Sequence, residues 1–255
     1  MGIIYLVSTL LLLVSFILIK KTEKSIDILS FLGITIVLYF SYNVLLCYIL
    51  TFISVPNNLA VFSVINIIIA VIIDLIIIKN KKIQKYKLDR VSLICVGIIL
   101  LVTFIVSCLN FGIPFNIKYE TGDPATHELT SVIFADEEKL LNYYEDEAYG
   151  VSNGRKIGSY VNSGIIMQCF SNVIDEIDYY NIFIAFGIFV FFLTAAIMFN
   201  TLDKYTKSKG GKILALLVSL IYVLGYPFNS LLFGFEYLSM GILILRNNTS
   251  YGVLF

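Results

Sequence analysis

The sequence predicts an all-α, polytopic transmembrane helix bundle with one helical extracytoplasmic loop of about 65 residues. Three observations carry that prediction. Mean hydropathy is +0.89 and only 14% of the 255 residues are charged, too few polar groups to cover the apolar surface in water. Apolar runs long enough to span a bilayer recur along the chain. The connectors between them alternate in charge, which is the signature of a chain threaded back and forth across a membrane.

The apolar runs cover residues 3–19, 28–54, 59–78, 91–113, 179–200 and 213–245. The connectors after the first, third and fifth hold 13 of the 18 basic residues, among them Lys20, Lys82, Arg90 and Lys212. By the positive-inside rule these three face the cytoplasm. The uncharged turn Val55–Asn58 and the segment 114–178, which carries 12 of the 18 acidic residues, then face outward. The expected location is the plasma membrane, with an extracytoplasmic N-terminus and with the lipid bilayer as partner. Net charge is zero, so nothing suggests nucleic acid as a partner. The first run lacks a basic leader and a small-residue cleavage site, so it reads as a retained helix and not as a signal peptide.

Three regions follow. Residues 1–113 form a four-helix membrane block, 114–178 the acidic external segment, and 179–255 a return to the membrane. The last apolar run is 33 residues, about 50 Å as a straight helix against a hydrocarbon core of about 30 Å. "GYPFN" at 225–229 interrupts it, and Pro227 removes a backbone hydrogen bond. Two arrangements fit: a long kinked helix, or a hairpin whose second arm returns Arg246 to the cytoplasm. The hairpin agrees with the charge rule. The chain stops on the apolar "SYGVLF", the pattern of a truncated product or a half-protein.

Within the external segment, Asp123 and Pro124 mark a helix start, since Asp is a favoured cap and Pro a favoured first helical residue. From there to about Asn142, the residues Ala125, Leu129, Val132, Ile133 and Leu140 form one apolar stripe. His127, Ser131, Phe134 and Glu138 take the opposite side, and Asp136 falls on the apolar stripe. A second, uncharged amphipathic run from Ser159 to Ile174 is expected to lie along the membrane surface.

Candidate chemistry concentrates at residues 119–141. Asp123 offers a carboxylate at the membrane–water boundary, as a general base or as a helix cap of about 1 kcal/mol. His127, the single histidine, lies one turn later and could bind phosphate or shuttle a proton. Gly122 permits close approach of a ligand to the backbone. No cofactor is required; a divalent metal at Glu120, Asp123 and His127 is conceivable, but their spacing matches no metal signature. Arg155 and Lys156 could hold a lipid phosphate, and Tyr160, with Tyr143, Tyr144 and Tyr149, could stack on a sugar or sit in an interfacial belt. Asp74 is ionisable inside the third run, and Asn43 and Asn66 are mid-membrane groups suited to hydrogen bonds between helices. The four cysteines show no metal or redox spacing. P-loop, dinucleotide-binding, nucleophile-elbow and zinc-protease motifs are absent.

At "TGDPATHE" the chain resembles the large bacterial polytopic glycosyltransferases of the GT-C type, in the Asp-centred segment, the juxtamembrane helix and the many-helix setting. The resemblance implies transfer of a sugar from a polyprenyl-phosphate carrier at the outer face, with Asp123 in the place of the external catalytic acid or base. Two other classes stay open on the residues alone. One is a transporter or flippase component, with a broken helix at GYPFN and Asp74 as coupling charge. The other is a non-catalytic membrane subunit or fragment.

Overall fold

The computed structural model describes residues 1–19, 25–80, 83–111, 123–138, 140, 161–174, 178–206 and 208–233, without the side chains of 109–111, 123–127 and 225–233. Eight helices lie among them: α1 (Gly2–Leu18), α2 (Ile28–Phe52), α3 (Leu59–Asn80), α4 (Arg90–Phe111), α5 (Asp123–Glu137), α6 (Val161–Ser171), α7 (Tyr179–Tyr205) and α8 (Lys209–Phe233). Four of the described helices are long and apolar enough to cross a membrane: α2, α3, α4 over Arg90–Cys108, and α7. α1 is also apolar but shorter, at 17 residues. The protein is an all-α, multi-pass integral membrane bundle.

Burial follows the logic of a lipid-solvated protein. Val64, Ile68, Val71, Ile72 and Leu75 of α3 point outward, while Ser63 and Asn66 of the same helix are buried. Lipid solvates the aliphatic face, so the interior can be given to small and polar side chains that pair across helices. Asn66 is fully enclosed. It accepts a hydrogen bond from Tyr42 at 3.2 Å and donates to Thr9 and Tyr39 at 3.3 Å each. Tyr39 in turn shares hydrogen bonds of 2.8 Å with Tyr5 and Thr9. The network ties α1, α2 and α3 together, the role expected of Asn66. Asn43 fills the same role elsewhere, donating to Asn162 of α6 at 3.1 Å.

One end of the bundle gathers the basic connectors. Two short strands, β1 (Ile26–Asp27) and β2 (Tyr86–Lys87), pair in parallel and join the connectors that follow α1 and α3. The Tyr86 hydroxyl donates to the Ile17 carbonyl at 2.6 Å, and its ring packs on Phe31. Asp27 caps α2, accepting from the backbone N–H of Ser30 at 3.0 Å. Beside them Lys212 at the start of α8 pairs with Asp89 before α4, and with Asp203 near the end of α7 at 3.2 Å. Ser92 bridges the two carboxylates. The Lys212 hydrogen bond holds the Asp89 carboxyl below its ordinary range, against the opposing effect of burial.

The opposite end joins the 53–58 turn to α5, α6 and the start of α7. Two expectations change there. The run around α6 does not lie along a surface: Val161 to Ile165, Met167, Gln168 and Cys169 are all buried, and α6 packs against α1, α2, α3, α5 and α7. Its lack of charge fits this burial, with Asn162, Ser163 and the Gln168 N–H₂ all paired internally. The predicted stripe is only in part the buried side of α5: Leu140 is 1% exposed and Val132 packs against the core, but residues of the opposite side are buried too. Ser131, Phe134 and Ala135 are enclosed and Leu129 is 58% exposed. Small residues on α6 cause this. Gly164 leaves room for the Phe134 ring, and Ser163 meets Ser131 hydroxyl to hydroxyl at 2.7 Å. Asp136, predicted on the apolar stripe, is exposed.

Of the two arrangements open on the sequence, α8 follows the continuous helix as far as it is described, not the hairpin that the charge rule favours. It runs as one helix through Pro227 to Phe233, so the helix does not break at 225–229. Neighbouring groups in membrane helices can absorb the bond that such a proline removes. A second hairpin arm, with Glu236 and Arg246, lies outside the described residues.

Candidate functional site at the acidic end

α5 starts at Asp123, where the Asp-Pro signal places it, and its backbone carries His127 one turn further on. The side chains of Asp123 and His127 lie outside the described residues. So do Glu120, Gly122, Arg155, Lys156 and Tyr160, and with them the conceivable metal position. Among the described residues no three His, Cys, Asp or Glu side chains gather to hold a metal.

The other end of α5 builds a site that sequence reasoning did not single out. Glu138 follows the helix with φ +54°, a left-handed conformation that costs a non-glycine residue about 1 kcal/mol. Two contacts from the 53–58 turn hold it there. The backbone N–H of Asn57 donates to the Glu138 carbonyl at 2.6 Å, and the Asn58 side-chain amide donates to a Glu138 carboxylate oxygen at 2.9 Å. The carboxylate is thereby fixed beside the start of α3.

Gln168 of α6 forms the floor. It is 5% exposed, and its amide N–H₂ donates to the carbonyls of Asn57 at 3.3 Å and Ala135 at 3.1 Å. One side chain thus ties the turn and α5 to α6. Its amide oxygen, Oε1, is buried with no hydrogen-bond partner. Its backbone carbonyl accepts from Ser171 at 3.1 Å and from the Asn172 side chain at 2.7 Å. At the rim the Tyr179 hydroxyl donates to Asp136 at 3.3 Å.

These groups surround a cavity of about 350 Å³, lined by Asn58, Asp136, Glu138, Gln168, Asn172 and Tyr179 among others. Among the described residues the wall holds two carboxylates, three side-chain amides, a phenol and Met1 with its N-terminal amino group, and no lysine or arginine. A neutral polyhydroxylated ligand would find acceptors for its O–H groups and donors for its oxygens, with Gln168 Oε1 the acceptor most in need of one.

The signal for this site was present but unread. Gln168, Ser171 and Asn172 recur at helical spacing in the uncharged run, and "PNN" places two amides at a helix start. No family model matches the chain, and no curated protein or solved structure matches it either.

Proposed function

We propose that the protein is a glycosyltransferase-like membrane enzyme, using a polyprenyl-phosphate-linked sugar at the outer face of the plasma membrane, with its N-terminus outside. The observation that carries this reading is the cavity at the end of α5, whose carboxylates, side-chain amides and phenol suit a polyol. It lies opposite the end where the Lys-rich connectors meet, and the helix that forms it opens with Asp123. The positive-inside rule then puts both on the outer face.

Thirteen residues of helix separate Asp123 from Asp136, about 20 Å. The cavity is therefore too far from Asp123 to hold the reacting carbon. It suits the distal end of an extended acceptor, such as an oligosaccharide lying along α5. In the reaction an acceptor oxygen bonds to the anomeric carbon while the bond from that carbon to the carrier phosphate breaks. The proton passes to Asp123, and the electron pair leaves with the lipid phosphate, near Arg155 or Lys156.

The test is transfer of label from a radiolabelled lipid-linked sugar in vesicles containing the protein. Asp123→Asn retains the cap, because Asn caps as well as Asp, but removes the base. Asp123→Ala removes both and lowers stability by about 1 kcal/mol. Both variants should reach the membrane and lose transfer, and His127→Ala should lose less. Full transfer by Asp123→Asn would end the proposal.

A further inference from the structure

A second cavity lies in the membrane half of the bundle, among α1, α2, α6 and α7. It measures about 240 Å³, and no charged residue lines it. Ile166, Phe170 and Phe189 are shared with a neighbouring cavity of about 470 Å³ between α6 and α7, so the two form one furrow. Leu6 and Phe189 stand at its edge, 36% and 40% exposed, and these positions face lipid in a bilayer. The furrow is in the size range of small-molecule sites.

Two buried acceptors of its wall lack a partner, Asn43 Oδ1 in the smaller cavity and Asn181 Oδ1, at the start of α7, in the larger. Asn43 lines the smaller cavity and is only 2% exposed, yet its Oδ1 has no hydrogen-bond partner. The amide orientation follows from a chain of contacts. The Phe40 carbonyl can only accept, so Asn162 turns its N–H₂ toward it, at 3.2 Å. Asn162 Oδ1 then faces Asn43, whose N–H₂ donates at 3.1 Å. The Asn43 oxygen is the acceptor left over. In lipid no bulk water can satisfy it, which makes an empty acceptor expensive.

We propose that this furrow binds a neutral lipid alcohol from the bilayer, its chain along Ile166, Phe170 and Phe189 and its hydroxyl donating to Asn43. The lining selects the class. A phospholipid or lipid phosphate would bring an anion to a wall without a cation. A fatty carboxylate would set an acceptor against an acceptor. A plain hydrocarbon would fill the furrow and leave Oδ1 unpaired. A single hydroxyl on an apolar chain fills the apolar wall and satisfies Asn43. The proposal stands apart from the sugar-transfer reading, because neither Asp123 nor the α5 cavity enters it.

The experiment uses the full chain in lipid nanodiscs with two photoreactive alkyl probes. The probes are identical except that one ends in a primary alcohol and the other in its methyl ether. The alcohol should label peptides from α6 and α7 about tenfold more than the ether, the order expected for one buried hydrogen bond. Asn43→Leu should reduce alcohol labelling to the ether's level and leave ether labelling unchanged. Equal labelling of the wild-type protein by both probes overturns the proposal, and it is also the result expected if a lone water satisfies Asn43. Alcohol labelling that survives Asn43→Leu overturns it too. The two-probe comparison on wild-type protein decides the matter even if the variant does not fold.

Discussion

Replacing Gly164 with alanine tests the packing on which the α5 cavity depends. A Cβ at this position would overlap the Phe134 ring and lie 3.1 Å from the Ser131 carbonyl oxygen. Phe134 is 2% exposed, so the ring has little space into which to retreat. Relief must come from moving α5 away from α6, which also stretches the 2.7 Å Ser131–Ser163 contact and the Gln168 hydrogen bond to Ala135. Overpacking of this kind costs about 1–3 kcal/mol, and the strained hydrogen bonds place Gly164→Ala toward the upper end. Gly97→Ala is the control: a Cβ there meets nothing within 4 Å, so the change should be neutral or slightly stabilising. Thermal melting in mild detergent, followed by size-exclusion, reads both. Combining Gly164→Ala with Phe134→Leu should recover part of the loss, since the smaller side chain vacates the overlap while the Ser131 backbone contact remains. A coupling of about 1 kcal/mol is expected from the double-mutant cycle. Strictly additive costs, or a Gly164→Ala protein that melts with the wild type, would refute the proposed fit of α5 on α6.

Three further outcomes are expected. Asn66→Leu should lower stability by about 2 kcal/mol, at roughly 0.6 kcal/mol for each of its three hydrogen bonds within the membrane, and unfolding in a denaturing detergent would measure it. Asp89 has its folded pKa depressed, first by the Lys212 hydrogen bond, so its contribution is complete above the unfolded carboxylate range and disappears as pH falls through the folded value. Wild-type protein should therefore melt above Asp89→Asn at pH 7, with the gap closing as pH falls toward 3; a gap independent of pH would contradict the assignment. In a cysteine-free background, an impermeant thiol reagent on intact cells should reach a cysteine at exposed Glu137 and not one at exposed Leu88, and equal labelling would overturn the charge-based orientation.

The spans were legible because length and hydropathy are properties of the chain alone. The extents of α2, α3, α4 and α7 follow the apolar runs closely. The Asp-Pro start of α5 was legible because a cap is written in adjacent residues. Asn66 could be read as an interhelical hydrogen-bonding group because a mid-membrane amide has few other uses. The Lys212 cluster was not legible. It depends on Asp89, Asp203 and Ser92 meeting from distant stretches, and no local pattern announces that meeting. The choice between a helix continuing past Pro227 and a break there was hidden for a related reason. The cost of a proline depends on which neighbours take up the freed carbonyl, and those neighbours are set by the fold.

The errors at α5 and α6 share one physical source. Periodicity establishes that a helix has two faces, but not which face looks inward. In water the apolar face is buried, and the sequence sets Leu129 on that face with Ser131 opposite. In a bundle solvated by lipid the cost of exposing an aliphatic side chain largely vanishes, whereas an unpaired hydroxyl or amide facing hydrocarbon remains expensive. For helices in lipid the sign of the pattern then turns over. For α5, in the external segment, it does so only in part, since Phe134 and Leu140 are buried along with Ser131. Small and polar residues mark the interior, because they permit close approach and hydrogen bonds between helices. Applied with that sign, the same periodicity points α5 inward along Ser131 and α6 inward along Asn162, Ser163, Gly164 and Gln168. All five of those residues are buried or closely packed against a neighbouring helix. Leu129, on the face once assigned to the core, is left exposed. Both proposed sites are built on side chains that this reversal brings inside, Gln168 at the acidic end and the Asn43–Asn162 pair in the membrane. In this protein the uncharged polar residues of apolar stretches are therefore stronger guides to binding chemistry than the acidic loop, whose charges water can satisfy without any ligand.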